Sequence, residues 1–312
     1  MLSVLLAIPL FIIGIAILIK GSDMLVEGTS KIALRYGIPI FIISAVIIGF
    51  GTSSPELAVT VGAALEKNPN ISLGNIVGSC VANLLLILGT AAVIKPVKIN
   101  KCRRNEESFI VFFSSFILLL FAAIGLLDEY HLIGGGLFII FFIGSFALFV
   151  GCAKQKKQAL ETVGIEKTWR NILFIILGII GVILGAWLLI ESTVSIASAL
   201  GISSFFIALT VIAVGTSLPE LMVSITASQK NESELIVGNI LGSNVFNIFL
   251  ILGLSALLIP LHAFAALDLM IVLLIATIGI LPFLYTGKMI TRREGIIFLI
   301  GYAVFIWYSF VF

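Results

Sequence analysis

The chain has 312 residues, 60% of them hydrophobic and 11% charged, with a formal net charge of +2. A soluble domain carries about 25% charged residues, so this composition excludes a water-soluble globular protein and points to repeated membrane crossing. The small net charge gives no basis for nucleic-acid binding. Three cysteines, Cys80, Cys102 and Cys152, are too few and too scattered for a disulfide framework or a metal cluster.

A transmembrane helix needs about 20 mostly apolar residues. Ten segments qualify: 2–30, 39–65, 71–94, 107–127, 131–152, 171–199, 203–228, 235–258, 264–286 and 294–311. The apolar start, Met1 to Ile19, lacks a basic leader and a small-residue cleavage site, so it reads as a first helix rather than a removed signal. The longest polar break, 153–170, divides the chain into a first five-helix unit, 1–152, and a second, 171–312. Five is odd, so two like units in series enter the membrane from opposite sides.

Charge agrees with that count. Lys31 and Arg35 follow helix 1, and Lys95, Lys98, Lys101, Arg103 and Arg104 follow helix 3. Lys154, Lys156, Lys157, Lys167 and Arg170 follow helix 5, Lys230 follows helix 7, and Lys288, Arg292 and Arg293 follow helix 9. Only Lys67, after helix 2, and Lys20, inside helix 1, fall elsewhere. The positive-inside rule then puts the odd-numbered loops in the cytoplasm and both termini outside a multi-pass cell membrane protein.

The two units carry one motif twice. Gly49-Phe50-Gly51-Thr52-Ser53-Ser54-Pro55-Glu56 precedes Gly74-Asn75-Ile76-Val77-Gly78-Ser79-Cys80-Val81-Ala82-Asn83. Ala213-Val214-Gly215-Thr216-Ser217-Leu218-Pro219-Glu220 precedes Gly238-Asn239-Ile240-Leu241-Gly242-Ser243-Asn244-Val245-Phe246-Asn247. The offset is constant, 220 − 56 = 164 and 247 − 83 = 164. An inverted duplication of polar residues inside apolar sequence is the mark of a transporter whose site lies at the repeat interface.

Pro55 and Pro219 lack an N–H and clash with the carbonyls of Gly51 and Gly215, so each breaks its helix and frees backbone oxygens near 49–52 and 213–216. A lone proline is often a mere kink; a duplicated Pro-Glu pair is more than that. Glu56 and Glu220 lie mid-helix, where a charge costs about 2.5–3.5 kcal/mol and faces a pathway or a partner. No lysine or arginine lies at that depth in helices 2, 3, 7 or 8, so the pair suits a cation. Thr52, Ser53 and Glu56 share a helix face, as do Ser79 and Asn83 at i, i+4. Thr216, Ser217, Glu220, Ser243 and Asn247 repeat the set. Hard oxygen donors in this number suit Ca²⁺, and also Na⁺, but not Zn²⁺ or Cu⁺. The Gly74/Gly78 and Gly238/Gly242 pairs let helix 3 approach helix 2, and helix 8 approach helix 7. Asn75 and Asn239 either orient ligands or bond across helices. Lys20, Asp23, Glu27 and Lys31 read as local ion pairs at the cytoplasmic end of helix 1.

These paired motifs resemble the two alpha repeats of the cation/calcium antiporter superfamily, above all the compact ten-helix prokaryotic members of its sodium/calcium exchanger branch. The resemblance implies exchange of Na⁺ for Ca²⁺ by alternating access, with helices 1 and 6 sliding over the remainder. It implies Ca²⁺ between Glu56 and Glu220 with backbone oxygens of Thr52 and Thr216. It implies Na⁺ at Ser53, Ser79, Ser217 and Ser243, with carbonyls at Gly49 and Ala213. No cofactor and no obligate protein partner are expected beyond the ions and the bilayer. Potassium-dependent relatives carry Asp where this chain has Asn247, and proton-coupled relatives replace the Gly-Thr-Ser-Xaa-Pro-Glu motif. A proton- or potassium-coupled exchanger is therefore the alternative within transport. A channel would usually gather its filter around an oligomer axis. A hydrolase would need a base beside Ser53 or Ser217, and no histidine lies in a helix core.

Overall fold

The computed structural model describes residues 4–99, 104–154, 168–200, 215–286 and 289–311. Long apolar runs become helices because a helix pairs its own backbone groups where no water can. In chain order these are α1 (Val4–Tyr36), α2 (Ile40–Thr52), α3 (Ser54–Leu65), α4 (Pro69–Ile94), α5 (Arg104–Ala123) and α6 (His131–Lys154). Then follow α7 (Thr168–Ala199), α8 (Leu218–Gln229), α9 (Ser233–Leu258), α10 (Leu267–Thr286) and α11 (Arg292–Val311). Two short strands, β1 (Val97–Lys98) and β2 (Met289–Ile290), pair antiparallel with Val97 opposite Ile290.

Among the described residues six helices are long and apolar enough to cross a bilayer, and the bent pair α2–α3 makes a seventh. α5 and α11 are helical where two further spans were expected, at 107–127 and 294–311. The start of the span expected at 203–228 falls on 201–214, outside the described residues. Two boundaries differ from expectation. α1 continues past residue 30 to Tyr36, helped by Lys31 reaching back one turn to Glu27 at 2.7 Å. It stops at Gly37, whose φ of 60° lets the Ile38 N–H reach back to the Ala33 carbonyl. The 153–170 linker is shorter than expected, since α6 reaches Lys154 and α7 opens at Thr168.

The 164-residue offset carries through to the elements. α1 maps onto α7 (4 + 164 = 168), α3 onto α8 (54 + 164 = 218) and α4 onto α9 (69 + 164 = 233). Short π-helical turns fall at Ala82–Ile87 and Phe246–Ile251, again 164 apart. The tight turns after α3 and α8 place Lys67 (φ 59°) and Asn231 (φ 63°) in the same left-handed conformation.

α4 and α9 form the centre. Their most apolar stretches are 72% and 94% buried, against 28% for α1 and α7 and 22% for α6 and α10. A helix apolar all round can be interior, whereas one that buries a single stripe leaves the rest to lipid. α11 packs beside α4 as α6 packs beside α9, and α5 pairs with α10. α1 and α7 pack chiefly on each other, along glycines. A Cβ on Gly178 would sit 2.7 Å from the Leu25 backbone nitrogen, and one on Gly185 2.6 Å from that of Leu18. Small residues let helix backbones approach this closely in a bilayer.

Gly178→Ala should therefore lower thermal stability in detergent by about 1–3 kcal/mol, the usual cost of overpacking. Gly62→Ala, where a Cβ would meet nothing within 4 Å, should not. Equal melting points for the two variants would contradict a glycine-dependent α1–α7 contact.

Candidate cation-binding site

The site begins at two helix starts, one of them the second half of a broken helix. α2 and α3 meet at Ser53 with a bend of 47°. Pro55 occupies the first turn of α3, where its missing N–H costs nothing. The second repeat does the same at Pro219, and the hinge residues match: Ser53 at φ −82°, ψ 9°, and Ser217 at φ −87°, ψ 3°. The Gly51 carbonyl that Pro55 leaves without its helix partner accepts Ser54 Oγ at 2.7 Å, which occupies one of its two lone pairs. The Gly49 carbonyl accepts the Ser53 N–H at 3.1 Å and Ser243 Oγ at 3.5 Å.

Each break puts a glutamate in the first turn of a new helix, Glu56 in α3 and Glu220 in α8. The unpaired N–H groups of a helix start favour negative charge there. Both carboxylates are 1% exposed. Their donors come across the repeat interface and are reciprocal: Ser53 Oγ donates to Glu220 Oε1 at 2.9 Å, and Ser217 Oγ to Glu56 Oε1 at 3.4 Å. Ser79 Oγ adds a bond to Glu56 Oε1 at 3.4 Å and accepts one from Ser217 Oγ at 3.3 Å.

The second oxygen of each carboxylate is different. Glu56 Oε2 and Glu220 Oε2 are buried without a partner, as are Asn83 Oδ1 and both polar atoms of Asn247. A buried unpaired polar group costs about 1–3 kcal/mol, and such groups are rare enough that each asks for an explanation. Four of the unpartnered oxygens come from four repeat-related residues, and oxygen is the donor type a hard cation takes. Asn83 and Asn247 lie in the two π-helical turns, a local widening that recurs at functional sites.

The structure answers the open question about Asn75 and Asn239, which bond across helices. The single Thr52 hydroxyl proton is shared between Asn239 Oδ1 at 3.3 Å and the Ile48 carbonyl at 3.0 Å, while Thr216 Oγ1 donates to Asn75 Oδ1 at 3.5 Å. Asn75 Nδ2 in turn donates to Thr60 Oγ1 at 2.9 Å, and Asn239 Nδ2 to Ser224 Oγ at 3.5 Å. Both threonine hydroxyls are thus engaged with the protein. Ala213 lies outside the described residues.

Two expectations about packing change. The α9 glycines meet α2, not α8: a Cβ on Gly238 would press on Phe41 and Ser44, and one on Gly242 on Ala45. Around Gly74 and Gly78 the described residues leave open space, so they do not draw α4 onto α3. Sequence reasoning also passed over Asn244, because its repeat mate is Cys80 and the pair does not match. Asn244 Oδ1 accepts from Asn83 Nδ2 at 2.9 Å, and its own Nδ2 donates to the Cys80 carbonyl at 3.4 Å. Repeat mates that touch lie where the two halves meet, so residues 80 and 244 mark the seam.

Residues 6–151 and 170–311 match the profile of the sodium/calcium exchanger protein family. The chain is 31% identical over 342 aligned positions to sodium/calcium exchanger MaX1 of Methanosarcina acetivorans, across 95% of this chain and 96% of that one. It is 34% identical over 303 positions to MJ0091, an uncharacterised membrane protein of Methanocaldococcus jannaschii, across 96% of both. The sodium-calcium exchanger NCX_Mj, solved after a soak in zero Na⁺ and Ca²⁺, superposes with a TM-score of 0.86 at 32% identity. That match spans 98% of this chain and 100% of the other.

If Asn239 holds Thr52, the two substitutions will be coupled. Asn239→Leu alone should cost about 1–3 kcal/mol through the stranded partners, and Thr52→Val should cost less in that background than in the native one. A double-mutant cycle in thermal unfolding measures this; strictly additive losses would count against the contact.

Proposed function

The chain belongs to the sodium/calcium exchanger family, so it is a multi-pass membrane antiporter with Na⁺ and Ca²⁺ as transported substrates and no cofactor, and on that premise we propose where and how it binds them. The observation that carries the reading is the set of unpartnered oxygens on Glu56, Glu220, Asn83 and Asn247. Ca²⁺ binds between the Glu56 and Glu220 carboxylates, with the Thr52 and Thr216 backbone carbonyls completing its 6–8 oxygens. Na⁺ ions use Ser53, Ser79, Ser217 and Ser243 with the Gly49 and Ala213 carbonyls. The Asn83 and Asn247 amides close the middle of the site.

Exchange follows from charge. Two ionised carboxylates balance one Ca²⁺ or two Na⁺ ions. Holding both sets together would leave excess positive charge in a medium where ion interactions are several-fold stronger than in water. An empty site would leave two unpaired anions, which is also costly inside a membrane. The occluded site is therefore stable only when filled by one ion set at a time, which makes the process an antiport rather than a leak.

In this reading the ten spans form two inverted five-helix repeats, 1–152 and 171–312, joined by a cytoplasmic linker, with both termini outside. Alternating access comes from the α1–α7 pair moving over the remaining helices. Its long glycine-lined mutual contact supports movement as one body. Asn at both 83 and 247 favours the sodium branch over potassium coupling.

The test is ⁴⁵Ca²⁺ uptake into Na⁺-loaded proteoliposomes, with K⁺ and pH gradients in parallel arms. Uptake should need internal Na⁺ and ignore the other two gradients. Glu56→Gln and Glu220→Gln should each lower it at least about tenfold, a change equivalent to 1.4 kcal/mol, while the purified protein keeps its helical spectrum and its monodisperse elution. Full uptake in both variants would remove the carboxylate site, and uptake driven by protons alone would change the coupling ion.

A further inference from the structure

α1 touches the remaining helices chiefly at one place, its crossing with α8. There Ser22 Oγ and Thr226 Oγ1 share a hydrogen bond of 2.8 Å, at 0% and 4% exposure. One residue further on, Asp23 Oδ1 accepts from Lys230 Nζ at 2.9 Å, and the Asp23 backbone carbonyl accepts from the same ammonium at 3.3 Å. Reading the sequence alone would pair Asp23 with lysines of its own helix; the fold gives it a partner more than 200 residues away, and Glu27 takes Lys31 instead.

The repeat makes this crossing informative. Its mate is the crossing of α7 with α3, where the corresponding residues are Ala186 (22 + 164), Trp187 (23 + 164), Gly62 (226 − 164) and Glu66 (230 − 164). Alanine and glycine offer no hydroxyl, and tryptophan and glutamate make no ion pair. The packing differs in the same direction. α1 lies along α8, but α7 does not lie along α3, and a Cβ on Gly62 would meet nothing within 4 Å. One crossing is closed and bonded; its mate is neither.

We propose that Ser22, Asp23, Thr226 and Lys230 form a one-sided latch that sets the sidedness of exchange. The latch holds the α1–α7 pair shut on the membrane face that carries Lys230, and it must open before ions reach that face. The proposal rests on the inverted-repeat reading above, under which this is the cytoplasmic face. With two like halves, the two access states would be nearly equal in energy. An interaction present in one state alone shifts the balance by its own free energy. The exposed ion pair is the weaker part, and the buried hydroxyl pair, with no water to replace it, is the stronger. These four are positioning residues that touch no ion, so their loss should move the equilibrium and not the site.

The experiment uses the full chain in lipid nanodiscs and in sealed vesicles of known orientation. Lys230→Gln, Asp23→Asn and the Ser22→Ala/Thr226→Val pair should each speed amide hydrogen exchange in 22–36 and 224–236. They should also lower the half-saturating Ca²⁺ concentration at the Lys230 face by about two- to fivefold while raising it at the other face, from population shifts of this size. The charge swap Asp23→Lys/Lys230→Asp should restore both readouts toward the native values. A merely structural role would raise exchange without moving the two half-saturation values in opposite senses. Unchanged exchange in every variant, equal shifts at both faces, or a swap as open as the single variants would overturn the latch. Failure of the ion-exchange reading would show separately, as Ca²⁺ uptake by the unaltered protein that ignores Na⁺, whereas the hydrogen-exchange comparison requires no transport at all.

Discussion

Two carboxylates in a place that water does not reach set the terms for everything around them. Burying an ion costs several kcal/mol even after relaxation, so Glu56 and Glu220 need compensation from every direction. Each receives a helix start beneath it, because Pro55 and Pro219 begin a new helix just before each acid. Each also receives a serine hydroxyl from the opposite repeat. Neither repeat can complete its own carboxylate, which is a physical reason for the halves to stay fused and in register. The compensation is deliberately incomplete: one oxygen of each acid stays unpartnered, and in the proposed reading that deficit is the binding energy for the cation.

Symmetry accounts for most of the polar network and its failures are instructive. Thr52–Asn239 and Thr216–Asn75 are the same contact seen from the two halves, as are Asn75–Thr60 and Asn239–Ser224. Identical mates can still differ, since Ser79 donates to the Glu56 carboxylate and Ser243 to the Gly49 carbonyl, and other exceptions arise where mates differ in chemistry. Ser54 can cap the Gly51 carbonyl, but its mate Leu218 has no hydroxyl. Asn244 holds Asn83 with an amide-to-amide bond at 2.9 Å, whereas its mate Cys80 can offer Asn247 only a thiol, a weak donor and acceptor. The two halves are therefore unequal here: the Asn83 amide is held by another amide on one side, and the Asn247 amide faces only a thiol on the other.

Much of this was legible in the sequence. Composition required a membrane protein, the constant offset required a duplication, and the Pro-Glu pairs located the broken helices. The elements then matched at the expected 164 residues. What could not be read were contacts between segments distant in sequence. A hydroxyl beside a proline, such as Ser54, can face lipid, a ligand or its own backbone, and only the fold chooses. Gly238 and Gly242 announce a close helix contact but not which helix makes it; the neighbour is α2 rather than the expected α8. Asp23 sat among lysines at helical spacing, yet its ammonium comes from Lys230. Asn244 carries no repeat signal because its mate is Cys80, yet the seam between two halves is where such a mismatched pair meets.

The proposed division of labour between a fixed core and a sliding helix pair follows from how each helix is buried. α4 and α9 are enclosed on nearly all sides and carry Ser79, Asn83, Ser243 and Asn247, so those donors are held by packing on every face. α1 and α7 have most of their surface open to lipid and join each other through glycine. A helix pair of that kind gives up few contacts when it shifts against the core, because lipid replaces lipid and the glycine seam moves with it. What remains to resist the shift is the handful of polar bonds at the α1–α8 crossing. A strong lock there would stop transport, and no lock would leave the two membrane faces equivalent. In the proposed reading a lone hydroxyl pair and one exposed ion pair lie between those limits, weak enough to break on each cycle and present on one side only.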